Sequence, residues 1–216
     1  MTNKTNSIKD LIDNNRRSFT GAAVIGLFIF GVFLMTSSTS VLENKGEIDT
    51  SEAEVADYRE LNIGLPASLP LKLSIPSAKI EAEFTEPVGL EVTGEVAVPK
   101  EYDSVSYYKF GPTPGEIGPA VILGHVDSND GPAVFFGLGQ LEVGDEILVD
   151  REDGTTAKFE VTELERNKQN DFPTEKVYGD IDHAGLRLIT CTGIYDRSVL
   201  RYTHNLIVYA KLITEE

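Results

Sequence analysis

The stretch LRLITCTGIYDR, residues 186–197, joins an apolar run to the single cysteine of the 216-residue chain. Leu186 to Thr190 are mostly apolar or β-branched, which favours a β-strand, and Cys191 follows at or near its carboxyl end. A free cysteine is most often a small apolar side chain in a core. The alternative is a nucleophile presented at a strand end, and the rest of the chain bears on that choice.

Similar short apolar or alternating runs, separated by Pro, Gly, Asp and Asn, continue from residue 69 onward. They predict strands at 71–76, 80–88, 120–126, 146–150, 157–167, 186–192 and 205–212. Residues 131–141 favour a short helix with Val134, Phe135 and Leu138 on one face. About eight strands at this spacing indicate an all-β, or mainly β, domain that is either a closed barrel or a sandwich.

The composition excludes several kinds of site. One cysteine cannot form an intramolecular disulfide or a cysteine-based zinc site, and the three histidines are too scattered to suggest a metal site. A formal net charge of −16 argues against a nucleic-acid-binding surface. The acidic residues from Asp127 to Asp130 could bind a cation, although a solvated loop is the simpler interpretation.

The amino-terminal segment has the pattern of a membrane anchor. Residues 18–38 carry no charged side chain, and their apolar part, Phe19–Met35, is 17 residues long, at the short end of a membrane span. Arg16 and Arg17 stand directly before it. Residues 1–17 carry a net charge of +2 and the remainder about −18.

The positive-inside tendency therefore predicts a single-pass protein of the cell membrane with an acidic domain outside. The predicted segments are a cytoplasmic amino terminus at 1–17, a transmembrane anchor at 18–37, an extracytoplasmic stalk at 38–68 and a folded domain at 69–216. A signal peptide cleaved near Ser37–Ser40 is the competing interpretation.

His125 occupies a position like that of Cys191, because the apolar run of AVILGHVDS, residues 120–128, leads into it. A cysteine and a histidine at strand ends form a possible nucleophile and base. An imidazolium stabilises a thiolate, and it can protonate a leaving amine. Arg197 and Arg201 follow the cysteine and could stabilise an oxyanion. His183 is interpreted as structural or exposed, and His204 could line the same end of a barrel.

Two motifs resemble those of the sortase family. LITCTG (188–193) resembles the Thr-Leu-x-Thr-Cys signature, and GHVDS (124–128) resembles the strand of the catalytic histidine. Further segments resemble the class F branch, in order, from Leu69 to Leu212. These are LPLKLSIPSAKIEAEFTEPVGL, YYKFGPTPGEIGPAVILGHVDS, GPAVFFGLGQLEVGDEILVDREDG, FPTEKVYG and RYTHNLIVYA.

The resemblance implies an eight-stranded sortase β-barrel with short helices, and a cysteine transpeptidase that needs no cofactor or metal. Cys191 would be the nucleophile that attacks the Thr–Gly bond of a Leu-Pro-x-Thr-Gly-like sorting signal, and His125 would be the general acid and base. The partners implied are sorting-signal proteins and an amine of a cell-wall precursor or a pilin.

The arginine of the family is the least certain match. Other sortase classes carry it five residues before an alanine that corresponds to Ala210, and this register falls on Asn205. The Tyr-Asp-Arg after the cysteine resembles a class F Phe-Asp-Arg, so Arg197 is the first prediction and Arg201 the second. A Cys-His hydrolase and a non-catalytic wall-associated domain remain the alternative functions.

Overall fold

The computed structural model describes residues 64–92 and 94–213. The predicted cytoplasmic segment and anchor, and the stalk up to residue 63, lie outside these residues. Within the described part, no helix is both long enough and apolar enough to cross a membrane.

A curled sheet of eight strands dominates the described residues. The strands of the described part, eight in this sheet and two in a separate one, are β1 Pro70–Ile75, β2 Ile80–Glu83, β3 Ser106–Tyr107, β4 Gly118–Leu123, β5 Asp127–Ser128, β6 Gly131–Pro132, β7 Glu146–Arg151, β8 Thr156–Lys168, β9 Ala184–Asp196 and β10 Arg201–Leu212. The large sheet has the order β2-β1-β7-β8-β10-β9-β4-β3, and β5 and β6 form a separate ribbon. The prediction of a mainly β fold is confirmed.

The two edges of the large sheet come together after β2 and before β3. Phe84 and Val105 form an isolated parallel bridge, and Thr85 N donates to Val105 O at 2.8 Å. These contacts curl the sheet toward a barrel and cover polar edge groups that would otherwise be exposed.

Helical structure in the described part is short. One α-helix, α1 (Thr174–Tyr178), and 3₁₀ turns at Pro76–Ala78, Leu138–Gln140 and Gln169–Asp171 connect the strands. The predicted helix at 131–141 is wrong beyond the turn at Leu138–Gln140. Gly131 has φ +138°, which a helix does not adopt, although Phe135 and Leu138 are fully buried as expected.

Strand alternation divides the buried residues between the two faces of the sheet. Leu186 and Leu188 of β9 belong to the main core inside the curl, together with Phe135 and Phe159. Ile189 faces the other way, into a smaller cluster that includes Leu123, Ile207, Tyr209 and Val177 of α1. Strand β4 is buried along its whole length because both of its faces are covered.

Arg151 ties the residues before β1 to the β7–β8 hairpin. Its fully buried side chain donates from Nη2 to Pro66 O and from Nη1 to Thr155 Oγ1 at 3.3 Å, and it lies 3.6 Å from the Asp153 carboxylate. Since Pro66 lies 85 residues from Arg151 in the chain, this side chain is a long-range link.

We expect Arg151→Ala to lower the free energy of unfolding by about 1.5–3 kcal/mol, the usual range for hydrogen bonds made by a charged group. Urea unfolding monitored by circular dichroism measures the change. Arg166→Ala, at an exposed position on β8, is the matched control and should leave the unfolding midpoint nearly unchanged. Equal midpoints for the two variants would contradict the proposed role of Arg151.

Candidate active site

Strands β4 and β9 set the position of the candidate nucleophile and base. They pair in parallel, with Leu123 beside Ile189, and the contact continues past β4. Gly124 N donates to Ile189 O at 3.3 Å, and Thr190 Oγ1 donates to Gly124 O at 2.8 Å. The next residues along the two segments are His125 and Cys191.

His125 itself lies beyond β4, whereas the sequence predicted a strand as far as residue 126. Gly124, the first residue after β4, passes so close to the core that a Cβ there would lie 2.7 Å from the Phe135 ring. Phe135 N then donates to His125 O at 2.8 Å. Glycine at 124 therefore lets Phe135, a residue of the main core, pack closely enough to make this hydrogen bond to the His125 backbone.

The imidazole ring of His125 is oriented by two neighbours. Nε2 lies 2.8 Å from Pro99 O, and because a carbonyl only accepts, Nε2 carries the proton. The ring centroid of Tyr102 lies 4.6 Å from that of His125. In the neutral ring this tautomer leaves Nδ1 as the nitrogen that can accept a proton.

Cys191 is half-buried, and strand β9 continues beyond it to Asp196 rather than ending near it. A bulge between Tyr202 and His204 lets the β9–β10 ladder run on as a hairpin. Gly193 has φ +86°, and a Cβ there would lie 2.6 Å from Thr203 Oγ1, so the bulge requires glycine.

The electrostatic surroundings of Cys191 favour the protonated thiol. Burial raises the pKa of the thiol, the Asp127 carboxylate raises it further, and Arg201 opposes both by lowering it. The Tyr202 hydroxyl donates to Asp127 Oδ2. This hydrogen bond, with burial, raises the pKa of Tyr202 to about 12, so the tyrosine stays protonated at neutral pH.

The two predicted arginines lie in different surroundings. Arg197 is exposed in the hairpin turn, and its side chain makes no hydrogen bond or ion pair with any described residue. Arg201 is also exposed, but Nη2 lies 3.0 Å from Glu95 Oε2 and its charge acts on the Cys191 thiol.

The other two histidines have polar partners of their own. His183 Nδ1 is 3.1 Å from the Asp182 carboxylate in an exposed loop, and His204 Nδ1 is 2.8 Å from Thr203 Oγ1. Among residues 64–92 and 94–213, no group of His, Cys, Asp and Glu side chains could hold a metal ion, and Asp127 instead accepts from Tyr202.

Asp127, Tyr202 and Asn205 complete the surroundings of the thiol, and sequence reasoning gave none of them a catalytic role. Asn205 is the Cα partner of Cys191 across the β9–β10 ladder. Of these three residues, only Asp127 could have been linked to the site from the local sequence, because it follows His125 by two residues. Tyr202 and Asn205 come close to the thiol through strand pairing.

Comparison with known proteins identifies the fold and the family. The family model described as "Sortase domain" matches residues 73–213. The chain belongs to the sortase family. The site therefore lies in a cysteine transpeptidase, which is the reaction class of this family.

Solved structures of several sortases are similar in fold to this chain. A lid mutant of sortase A from Corynebacterium diphtheriae has a TM-score of 0.53 at 18% identity, covering 77% of this chain and 96% of its own. Sortase C1 from Streptococcus suis has a TM-score of 0.51 at 17% identity, covering 82% and 90%. Sortase C-1 from Actinomyces oris has a TM-score of 0.50 at 19% identity, covering 77% and 99%. No curated protein matches the chain.

Substitutions around the thiol should move its pKa in opposite directions. Asp127→Asn removes a negative charge while its side-chain oxygen can still accept from Tyr202, so the thiol should ionise at lower pH. Arg201→Ala should move ionisation to higher pH. The rate of alkylation by iodoacetamide, measured against pH with detection of Cys191 by mass spectrometry, reports both shifts.

Arg197→Ala serves as the matched control and should leave the alkylation profile in place. Superimposable profiles for the wild type and both Asp127→Asn and Arg201→Ala would contradict this description of the site. A shift caused by Arg197→Ala alone would support Arg197, the first prediction from the sequence, over Arg201.

Proposed function

We propose that this sortase is a membrane-anchored, class F-like enzyme that joins proteins carrying a Leu-Pro-x-Thr-Gly-like sorting signal to an amine. The observation that carries the proposal is the parallel pairing of β4 and β9 on a sortase fold, whose last pair, Leu123 and Ile189, lies two residues before His125 and Cys191. The class F assignment is supported by the ordered segment resemblance between Leu69 and Leu212.

In the first half-reaction, Cys191 Sγ attacks the carbonyl carbon of the threonine. The thiol proton passes to His125 Nδ1, and His125 then gives it to the glycine amine as the Thr–Gly bond breaks. The product is an acyl-thioester on Cys191. The tautomer fixed by Pro99 O supports this role, because it leaves Nδ1 free to take the proton.

In the second half-reaction, an amine of a cell-wall precursor or of a pilin attacks the thioester carbonyl. The new amide bond forms as the C–S bond breaks, and the proton lost by the amine returns through His125 to the thiolate. This step mirrors the first, so the same two residues serve both.

The predicted arginine would stabilise negative charge near the thiol or on the substrate. Its effect on the thiol pKa supports Arg201, the second prediction from the sequence. Arg197 lies in the exposed turn and would need that turn to fold back over the site to act.

Incubation with a library of Leu-Pro-x-Thr-Gly peptides should give an acyl adduct on Cys191 whose mass ends at threonine. Cys191→Ala should abolish it, and His125→Ala should slow it by about 10²–10⁴-fold, the usual contribution of a general acid and base. Added triglycine should capture the acyl group in the wild type. Release of free acid despite triglycine would indicate a hydrolase, and activity of Cys191→Ala would indicate a different nucleophile.

The anchor and stalk are supported by the charge pattern of the sequence, with residues 18–37 spanning the cell membrane and the catalytic domain outside. We expect the full chain to sediment with membranes and a chain starting at residue 45 to stay in solution. A mature protein whose mass begins near Ser37–Ser40 would instead show a cleaved signal peptide.

A further inference from the structure

Four polar side chains form a row across four adjacent strands at the level of the thiol. Asn205 pairs with Asn167 of β8 on one side and with Cys191 of β9 on the other. The β4–β9 register adds His125 beyond Cys191. We call Asn167, Asn205, Cys191 and His125 the polar row.

The polar row lies on the face of the sheet opposite the main core. On each strand, a residue two positions from the row member belongs to that face, before it on β4, β8 and β9 and after it on the antiparallel β10. Leu123, Ile189 and Ile207 are packed in the smaller cluster, and Glu165 receives the Tyr209 hydroxyl at 3.2 Å. Because side chains at matching positions of paired strands point to the same side, Asn167, Asn205 and Cys191 do so too.

This geometry limits which groups can reach an acyl group on Cys191. Backbone N–H and C=O groups within a β-ladder point along the sheet toward neighbouring strands, whereas the thiol projects out of the sheet. The carbonyl oxygen of a thioester therefore stands above the sheet, where side chains are the available donors. Directly opposed residues of antiparallel strands have Cβ atoms about 4.5–5.5 Å apart, within reach of an asparagine amide.

Asn167 supplies an independent observation. Its Nδ2 atom is buried and has no hydrogen-bond acceptor among the described residues. Lys176 chiefly, and the Asn167 amide to a smaller extent, hold the pKa of the Glu165 carboxyl below its usual value, so the amide lies near that carboxylate without bonding geometry. An unsatisfied buried donor costs about 1–3 kcal/mol, and Asn205, the Cα partner of Asn167 across the β8–β10 ladder, carries an amide oxygen that can accept.

We propose that Asn205 is a catalytic residue whose Nδ2 donates a hydrogen bond to the thioester carbonyl oxygen and to the oxyanion that precedes it. Asn167 is a positioning residue that donates to Asn205 Oδ1 and so turns Nδ2 of Asn205 toward Cys191. The inference rests on the proposed function. It assigns the direct contact with the carbonyl to a neutral amide, while Arg201 acts through its charge from the exposed hairpin.

The test compares two reactions of the same thiol. Acylation by a Leu-Pro-x-Thr-Gly peptide builds an oxyanion, whereas alkylation by iodoacetamide displaces iodide at a saturated carbon and builds none. Asn205→Ala and the similarly sized Asn205→Leu should slow acylation by about 10²–10³-fold, the usual cost of one oxyanion donor. Both variants should keep the wild-type alkylation rate and its pH profile.

Asn167→Ala should lower kcat of acylation by about tenfold with KM unchanged, since an interaction made only in the transition state is lost. Asn170→Ala, an exposed asparagine outside the polar row, is the matched control and should acylate at the wild-type rate.

Acylation rates within about threefold of wild type for both Asn205 variants, or a parallel loss of alkylation, would overturn the inference while leaving the proposed function intact. Absence of any acyl adduct with the wild-type chain would overturn the proposed function, and this inference with it.

Discussion

The parallel pairing of β4 with β9 is the constraint on which the candidate site depends. Most other strand pairs of the large sheet are antiparallel hairpin or ladder pairs, but β4 and β9 lie about sixty residues apart in the chain and run in the same direction. Both strands therefore present the ends of their apolar runs at the same edge of the core. Burial of Ile122 and Leu188 inside the curl favours this register, because a slip of either strand by one residue would turn its own side chain out of the main core.

The polar surroundings of the thiol have opposing effects. Burial and Asp127 keep Cys191 protonated, and Arg201 works against them across the hairpin. A protonated resting thiol suits a nucleophile that must remain free, because the thiolate is the form most open to oxidation. In the proposed mechanism His125, oriented by Pro99 O and Tyr102, activates the thiol when a substrate is bound. In the proposed mechanism Arg201 lowers the pKa of the thiol, while the polar row contacts the acyl group.

The hairpin that follows Cys191 connects these features. The bulge at Gly193 lets β9 and β10 continue past the core, so that Tyr202 reaches Asp127 and Arg201 reaches Glu95. The hairpin also exposes Ile194, Val199 and Leu200, which lie beyond the part of the sheet that packs on the core. The same segment therefore carries both Cys191, the proposed nucleophile, and a side chain, Arg201, that shifts the pKa of its thiol.

The sequence by itself determined the positions of the long strands, because their alternation of apolar residues follows directly from having a buried face. It also singled out Cys191 and His125, whose chemistry is rare in this chain and whose places after apolar runs are local features. Only the tertiary structure decided which residues surround them. Pro99, Asp127, Tyr202 and Asn205 meet the pair through strand order, backbone carbonyls and a bulge, and these are set by distant parts of the chain packing together. The helix expected at 131–141 failed for a related reason, since a glycine with positive φ and the burial of Phe135 against Gly124 outweighed the local helical pattern.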